Sequence, residues 1–313
     1  MHLVIPFASA LSESARHVLR DLSLPNLSRL LTVLTPQPPD SGDEGSLSPP
    51  HERALATAWG WHGHDGAWPF AARAADADGI DVGSSAWGLV TPAHWHVGRD
   101  HIVLSDPAAL NLDDGESRAL FNAVRDLFES EGLRFEWGAA SRWYVAHESL
   151  ADLACASLDR VIARPVEPWL RPNPGAETQS RLVRRLQSEV QMLLYPHPIN
   201  ETREQSNELP MNSFWLSGCG RFQVSAPNDP QLADALRAPL LADDWVAWAQ
   251  AWRALDAQEL ADLLAAAHSG EVVSLTLCGE RSAQRFDSAP RSTWRRLADR
   301  WRTNEPHSVL EAL

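Results

Sequence analysis

No lysine occurs in this chain, and all 27 of its Lys-or-Arg positions are arginine. Schiff-base catalysis and the phosphate-gripping lysine of a P-loop are therefore excluded. Cysteine is scarce. Cys155, Cys219 and Cys278 are too few and too far apart in sequence for a disulfide framework or a Cys-rich zinc site. That scarcity fits a reduced compartment. No stretch reaches the roughly 18 uninterrupted apolar residues of a membrane span. The apolar start, MHLVIPFASAL, lacks a basic flank and is broken by Pro6. The expected location is cytoplasmic. A basic surface is missing too, because the formal charge is −14, which disfavours nucleic acid or an anionic membrane as partner. The signatures HExxH, GxSxG, GxGxxG and GxxxxGK[ST] are all absent. No cofactor is expected.

What is present is an ordinary globular composition, 44% hydrophobic and 22% charged over 313 residues, enough for a large core. Fourteen tryptophans against two tyrosines are unusual, and their ordinary role is core packing. Residues 2–8 read as a buried strand, and helices are predicted around 12–20 and 25–31. Residues 35–50, rich in proline and acids, read as an exposed loop. A helix follows at 51–60, with Gly60 as its C-cap, and a shorter one from Pro69. Extended segments at 86–98 and 101–106, an amphipathic helix at 115–131 and strands at 133–137 and 142–146 suggest an inserted α/β subdomain over 90–165. Residues 1–89 and 166–313 would form the main domain. There, helices are predicted at 177–194, 243–267 and 291–302, and a buried strand at 271–278. Trp245, Trp248 and Trp252 recur at helical spacing, as a core face does. The fold class is α/β with a mainly parallel sheet.

The stretch 195–221 concentrates polar groups, His197, Asn200 and Arg203, before an apolar run ending in Gly218-Cys219-Gly220. A strand running into a Gly-x-Gly loop is where α/β folds carry binding groups. Arginine suits bidentate phosphate or carboxylate binding, and asparagine adds a neutral donor; an ion pair or cap is the structural alternative for Arg203. His62 and His64, with Asp65, and His94 and His96, with His101, are the histidine clusters. A strand would place His94 and His96 on one face, as a metal pair requires, but no third ligand stands at recognisable spacing. His51 and Glu52 open a helix, where a bound anion is favoured.

Several segments in order resemble the cofactor-independent phosphoglycerate mutases of archaeal type, in the alkaline phosphatase superfamily. Leu24-Pro25-Asn26-Leu27-Ser28-Arg29-Leu30 resembles the family's T-P-N-L-D-x-L. The residues from Pro49-Pro50-His51-Glu52 to Trp61 lie without gaps on P-G-S-D-V-A-N-L-S-L-L-G-Y. Gly66-Ala67-Trp68-Pro69 falls on G-R-G-P, and His197 to Arg203 resembles H-x-x-N-x-x-R. Asn212 to Gly220 resembles N-x-I-W-L-W-G-x-G. The resemblance implies a three-layer α/β/α fold with a mainly parallel sheet, and it implies substrate contacts at Asn200, Arg203, His197 and Asn212.

The departures fall on the catalytic half. His51 and Glu52 stand where the family has its nucleophile and the neighbouring Asp. The first strand ends in Pro6-Phe7-Ala8-Ser9 instead of an Asp-Gly metal motif, and Ala67 replaces an arginine. Leu275 to Arg281 lacks the D-E-x-x-H that follows a strand in the family. Two cations neutralise the phosphoryl oxygens in such enzymes, and a lone histidine cannot supply that charge. The expectation is a catalytically degenerate relative that binds a small phosphorylated or acidic metabolite or a protein partner, with no metal. The alternatives are an active phosphatase or phosphomutase, with His51 as a transient phosphohistidine oriented by Glu52 or Asp65, and a Trp-faced interaction scaffold. Self-association is left open.

Overall fold

The computed structural model describes residues 1–170, 175–227, 229–288 and 305–313. The helix expected at 291–302 lies outside the described residues. Two compact units form. The first comprises Met1–Gly45, Pro49–Trp61 and Ser225–Leu313, and the second comprises Ser46–Ser48 and His62–Val224. In chain order the strands are β1 (His2–Ile5), β2 (Thr35–Pro36), β3 (Asp40–Ser41), β4 (Ala86–Ala93), β5 (Trp95–Val97), β6 (Ile102–Leu104), β7 (Arg134–Ala139), β8 (Arg142–Ala146), β9 (Ser213–Arg221), β10 (Gln231–Leu232), β11 (Ser274–Cys278) and β12 (Ser282–Asp287).

In the first unit the sheet order is β10-β1-β11-β12-β2, with β3 also pairing β12. Leu3, Val4 and Ile5 are fully buried and every residue of β11 is buried, so neither strand alternates between core and solvent. That continuous apolarity belongs to strands covered on both faces. β1 runs parallel to β10 and β11, whereas β12 is antiparallel to β11, β2 and β3. The core includes helices Pro25–Val33, Trp245–Ala257 and Glu259–Ser269. Trp248 and Trp252 are fully buried, with Trp248 edge-on to Trp245 at 6.0 Å and to Trp252 at 6.4 Å. Each such ring contributes about 2–3 kcal/mol by burial. Helix Pro25–Val33 has no side-chain cap of its own. The carboxylate of Asp256, on Trp245–Ala257, accepts instead from the amides of Asn26 at 3.2 Å and Leu27 at 2.8 Å.

The second unit holds an antiparallel sheet in the order β7-β8-β4-β9, beside a two-stranded β5-β6 pair. Helices Asp114–Glu129 and Glu177–Leu194 pack into its core. Phe135 stacks on Phe121 at 4.4 Å and on Phe128 at 4.1 Å, and Trp143 meets Phe121 edge-on at 5.4 Å.

Two expectations are corrected here. The sheets are mixed and antiparallel, not mainly parallel, because a short apolar run betrays burial but carries no signal of strand direction. The inserted unit is also larger than 90–165. β4 pairs with β9 from Ala86↔Arg221 to Ala93↔Ser213, and that long-range ladder draws residues 166–224 into the second unit. Eight tryptophans are buried among the described residues, so packing is their main work. No helix among those residues is long and apolar enough to cross a membrane.

Candidate functional site

The residues expected to hold substrate are spent on backbone. Asn200, 3% exposed on helix Pro198–Gln205, donates to the carbonyls of Leu194 at 2.9 Å and Met211 at 2.7 Å. Its Oδ1 accepts the Met211 amide at 3.0 Å. Arg203 is 1% exposed. Its Nε donates to the Leu209 carbonyl at 2.9 Å, Nη1 to the Glu116 carboxylate at 2.7 Å, and Nη2 to the Leu110 carbonyl. His197 caps its helix by accepting from the Ile199 amide at 3.3 Å. Asn212 bonds both main-chain groups of Trp95, at 2.7 and 2.9 Å, and so ties β5 to the start of β9. The expectation of anion contacts at Asn200 and Arg203 is corrected accordingly. A guanidinium with three committed nitrogens and almost no exposed surface is a clamp, because leaving any of those buried groups unpaired would be costly.

The catalytic candidates belong to the first unit. β1 is followed by Pro6 and then Phe7, whose φ of 57° lies in the left-handed region. The Phe7 ring meets the His51 ring at 5.3 Å, and His51, near the start of helix Pro50–Trp59, is 8% exposed. The Ala8 amide donates to the Cys278 carbonyl at 2.8 Å, which joins the ends of β1 and β11. Proline, an aromatic ring and alanine therefore follow the strand, with no carboxylate among them. Asp65, weighed as a partner for His51, accepts instead from the amides of Leu47 at 2.7 Å and Ser48 at 2.8 Å within the second unit. His94 gives Nδ1 to the Pro210 carbonyl at 2.8 Å, while His96 is exposed. Among the described residues, no three His, Cys, Asp or Glu side chains gather as a metal-binding group.

A polar cleft of about 300 Å³ in the second unit brings other groups together, including His62, His64, Asp152, Gly220, Arg221 and Gln223. Two segments build its histidine side. The Gln223 side chain accepts from the His62 amide at 2.9 Å and donates to the His62 carbonyl at 2.7 Å, pairing the segments as a strand neighbour would. Arg221 ends β9. It donates to the Ser84 carbonyl at 2.5 Å and pairs with Glu148 on the open surface. Hydrogen bonding to Arg221 holds the Glu148 carboxyl below its ordinary range, and Glu148 in turn raises Arg221.

Gly218-Cys219-Gly220 lies within β9, not in a loop after it, at an irregularity in the pairing with β4, and sets this geometry. Gly218 has a φ of +65°, and a Cβ there would lie 2.9 Å from the Ala71 amide nitrogen. Gly220, at +148°, would press one on Pro69. Only glycine lets β9 approach helix Phe70–Ala77 so closely. The sequence marked this Gly-x-Gly end of a strand and named His62 and His64, with Asp65, as one of its histidine clusters. It missed Asp152, Arg221 and Gln223, although Arg221 closes the very stretch it singled out.

No protein-family model matches the chain, and no curated protein matches it. Among solved structures the chain is similar to a cofactor-independent phosphoglycerate mutase from Thermoplasma acidophilum, with 15% identity and a TM-score of 0.39 over 91% of this chain and 89% of that one. It is similar also to the PH0037 protein from Pyrococcus horikoshii, with 12% identity and a TM-score of 0.47 over 98% and 91%. Both likenesses are distant.

Proposed function

We propose that this protein is a phosphoglycerate mutase-like member of the alkaline phosphatase-like α/β proteins that has lost metal-dependent catalysis and binds a small phosphorylated or acidic metabolite in the His62–Arg221 cleft. The observation that carries the reading is the composition of that cleft. Arg221, half-exposed where Arg203 is buried, has N–H groups beyond those given to Ser84 and Glu148, and with the two imidazoles it offers donors to a phosphate or carboxylate; Asp152 offers an acceptor to a hydroxyl. A hydroxylated acid phosphate presents both kinds of group. The end of β1 supports the loss of catalysis, since Phe7 packs on His51 where the resembled family carries acidic metal ligands.

Calorimetric titration with 3-phosphoglycerate, related phosphorylated acids and their neutral analogues tests the reading. Binding of an acid that falls at least tenfold in Arg221→Ala and His64→Ala is the expected result. No heat with any of these acids would sink it. Interconversion of phosphoglycerates with added Mn²⁺ or Mg²⁺, lost in His51→Ala, would replace it with the active-enzyme reading.

A further inference from the structure

Cys155 and Cys219 are 64 residues apart in sequence, yet their sulfurs lie 3.9 Å apart. Both belong to the second unit, and both are free thiols. We propose that they form a reversible redox pair, with Cys155 as the sulfur that meets a hydroperoxide and Cys219 as the sulfur that resolves it into a disulfide.

The surroundings give the two thiols unequal roles. Cys219 is fully buried on β9, where a Cβ on Gly88 of the neighbouring β4 would come within 3.2 Å of its sulfur. Cys155 is only partly buried, and it lines a narrow cleft of about 50 Å³ with Leu153, Trp169, Arg184, Gln187 and Trp215. A small peroxide therefore reaches Cys155 first. The hydrogen bond with Cys155 and burial both push the Cys219 thiol up, which keeps it protonated and makes it a poor first nucleophile. In the first step the Cys155 thiolate attacks the peroxide oxygen, and the O–O bond breaks to give a sulfenic acid and hydroxide (alkoxide from an organic hydroperoxide). That anion takes up the proton the thiol released and leaves as water or alcohol. In the second, the Cys219 sulfur attacks the sulfenic sulfur, the S–S bond forms, and hydroxide leaves with the Cys219 proton as water. Two thiols lose two electrons and the hydroperoxide gains them. The sulfurs must close by about 2 Å to reach bonding distance. Cys155 stands on an irregular segment, residues 153–157, whose backbone is not held in a helix or strand, so the approach needs no break in regular structure at that end.

The bridge would join two segments that already lean on one another. The Trp215 indole on β9 donates to the Ala156 carbonyl at 2.8 Å, and the Cys155 amide donates to the Gly66 carbonyl at 2.9 Å. Three residues before Cys155 is Asp152, and directly after Cys219 come Gly220 and Arg221, all lining the polar cleft. Oxidation would thus fix one wall of that cleft to the other. This second consequence rests on the metabolite-binding reading, whereas the disulfide itself does not.

Peptide mapping by mass spectrometry after treatment of the intact protein with hydrogen peroxide tests the pair. A Cys155–Cys219 cross-linked peptide that disappears with dithiothreitol is expected, together with a thermal midpoint raised by several degrees in the oxidised protein. Cys155→Ser should abolish both, and Cys278→Ser should leave both intact. Accumulation of sulfinic acid at Cys155 without a cross-link, or a cross-link that uses Cys278, would overturn the proposal. Titration of 3-phosphoglycerate into both redox forms reads the second consequence. A cross-link with unchanged affinity would leave the redox pair standing and remove its link to the cleft.

Discussion

Arg203 shows how a residue type can point to one chemistry and serve another. Its guanidinium joins Leu209 and Leu110 carbonyls to Glu116, and the last two partners lie 93 and 87 residues away. Arg203→Ala should therefore cost about 3–5 kcal/mol of stability, read as a lower urea midpoint, because it strands a carboxylate and two carbonyls. The sequence displayed the polar cluster but not its partners, since local spacing carries no information about carbonyls contributed from residue 110. His2 makes a second prediction at this scale. It hydrogen-bonds Thr276 at 2.9 Å, and burial, aided by the charge of Arg285, lowers it from 6.5 to about 4. The folded state thus holds fewer protons on His2 than the unfolded chain between those values. Its contribution is complete above about pH 6.5 and is lost as the pH falls towards 4. Urea midpoints measured across that window should fall less steeply in His2→Gln than in the parent protein.

Elements were the most legible level where caps and periodicity are local. The stripe of apolar residues predicts the helix Glu177–Leu194, and Gly60 closes helix Pro50–Trp59 at a φ of 73°. The start of helix Pro25–Val33 was not legible in the same way. Leu24 cannot cap, and the missing acceptor arrives from Asp256 on a helix 230 residues later. Asp256→Ala should cost about 1–2 kcal/mol through the loss of that cap, with Asp256→Asn recovering part of it. Equilibrium denaturation of the two variants checks the order. Strand direction also stayed hidden. β11 and β1 read alike as buried runs, but one neighbour of β11 is parallel and the other antiparallel.

At the scale of the molecule, the sequence suggested an insertion but set its edges by local strand and helix patterns. Those patterns span 90–165, whereas the ladder of β4 with β9 decides where the second unit ends. The candidate site moved for the same reason. Motif order ties the site to Asn200 and Arg203, yet folding buries those side chains and leaves Arg221, at the end of the same stretch, beside an open cleft. The first unit depends on residues from both ends of the chain, while the second is nearly continuous. A chain stopped after residue 272 lacks β11 and β12, so its first unit should fail to fold. Limited proteolysis should then leave a resistant fragment spanning about residues 62–224.

The central position of β1 sets a problem of timing. Leu3, Val4 and Ile5 leave the ribosome well before their sheet partners at Gln231–Leu232 and Ser274–Cys278, which lie far downstream in the chain. At ordinary rates of synthesis the strand waits on the order of 15 to 55 s with both edges open. Open apolar edges recruit other chains as readily as native partners. Yield in the cell should therefore depend less on final stability than on what shelters β1 during translation.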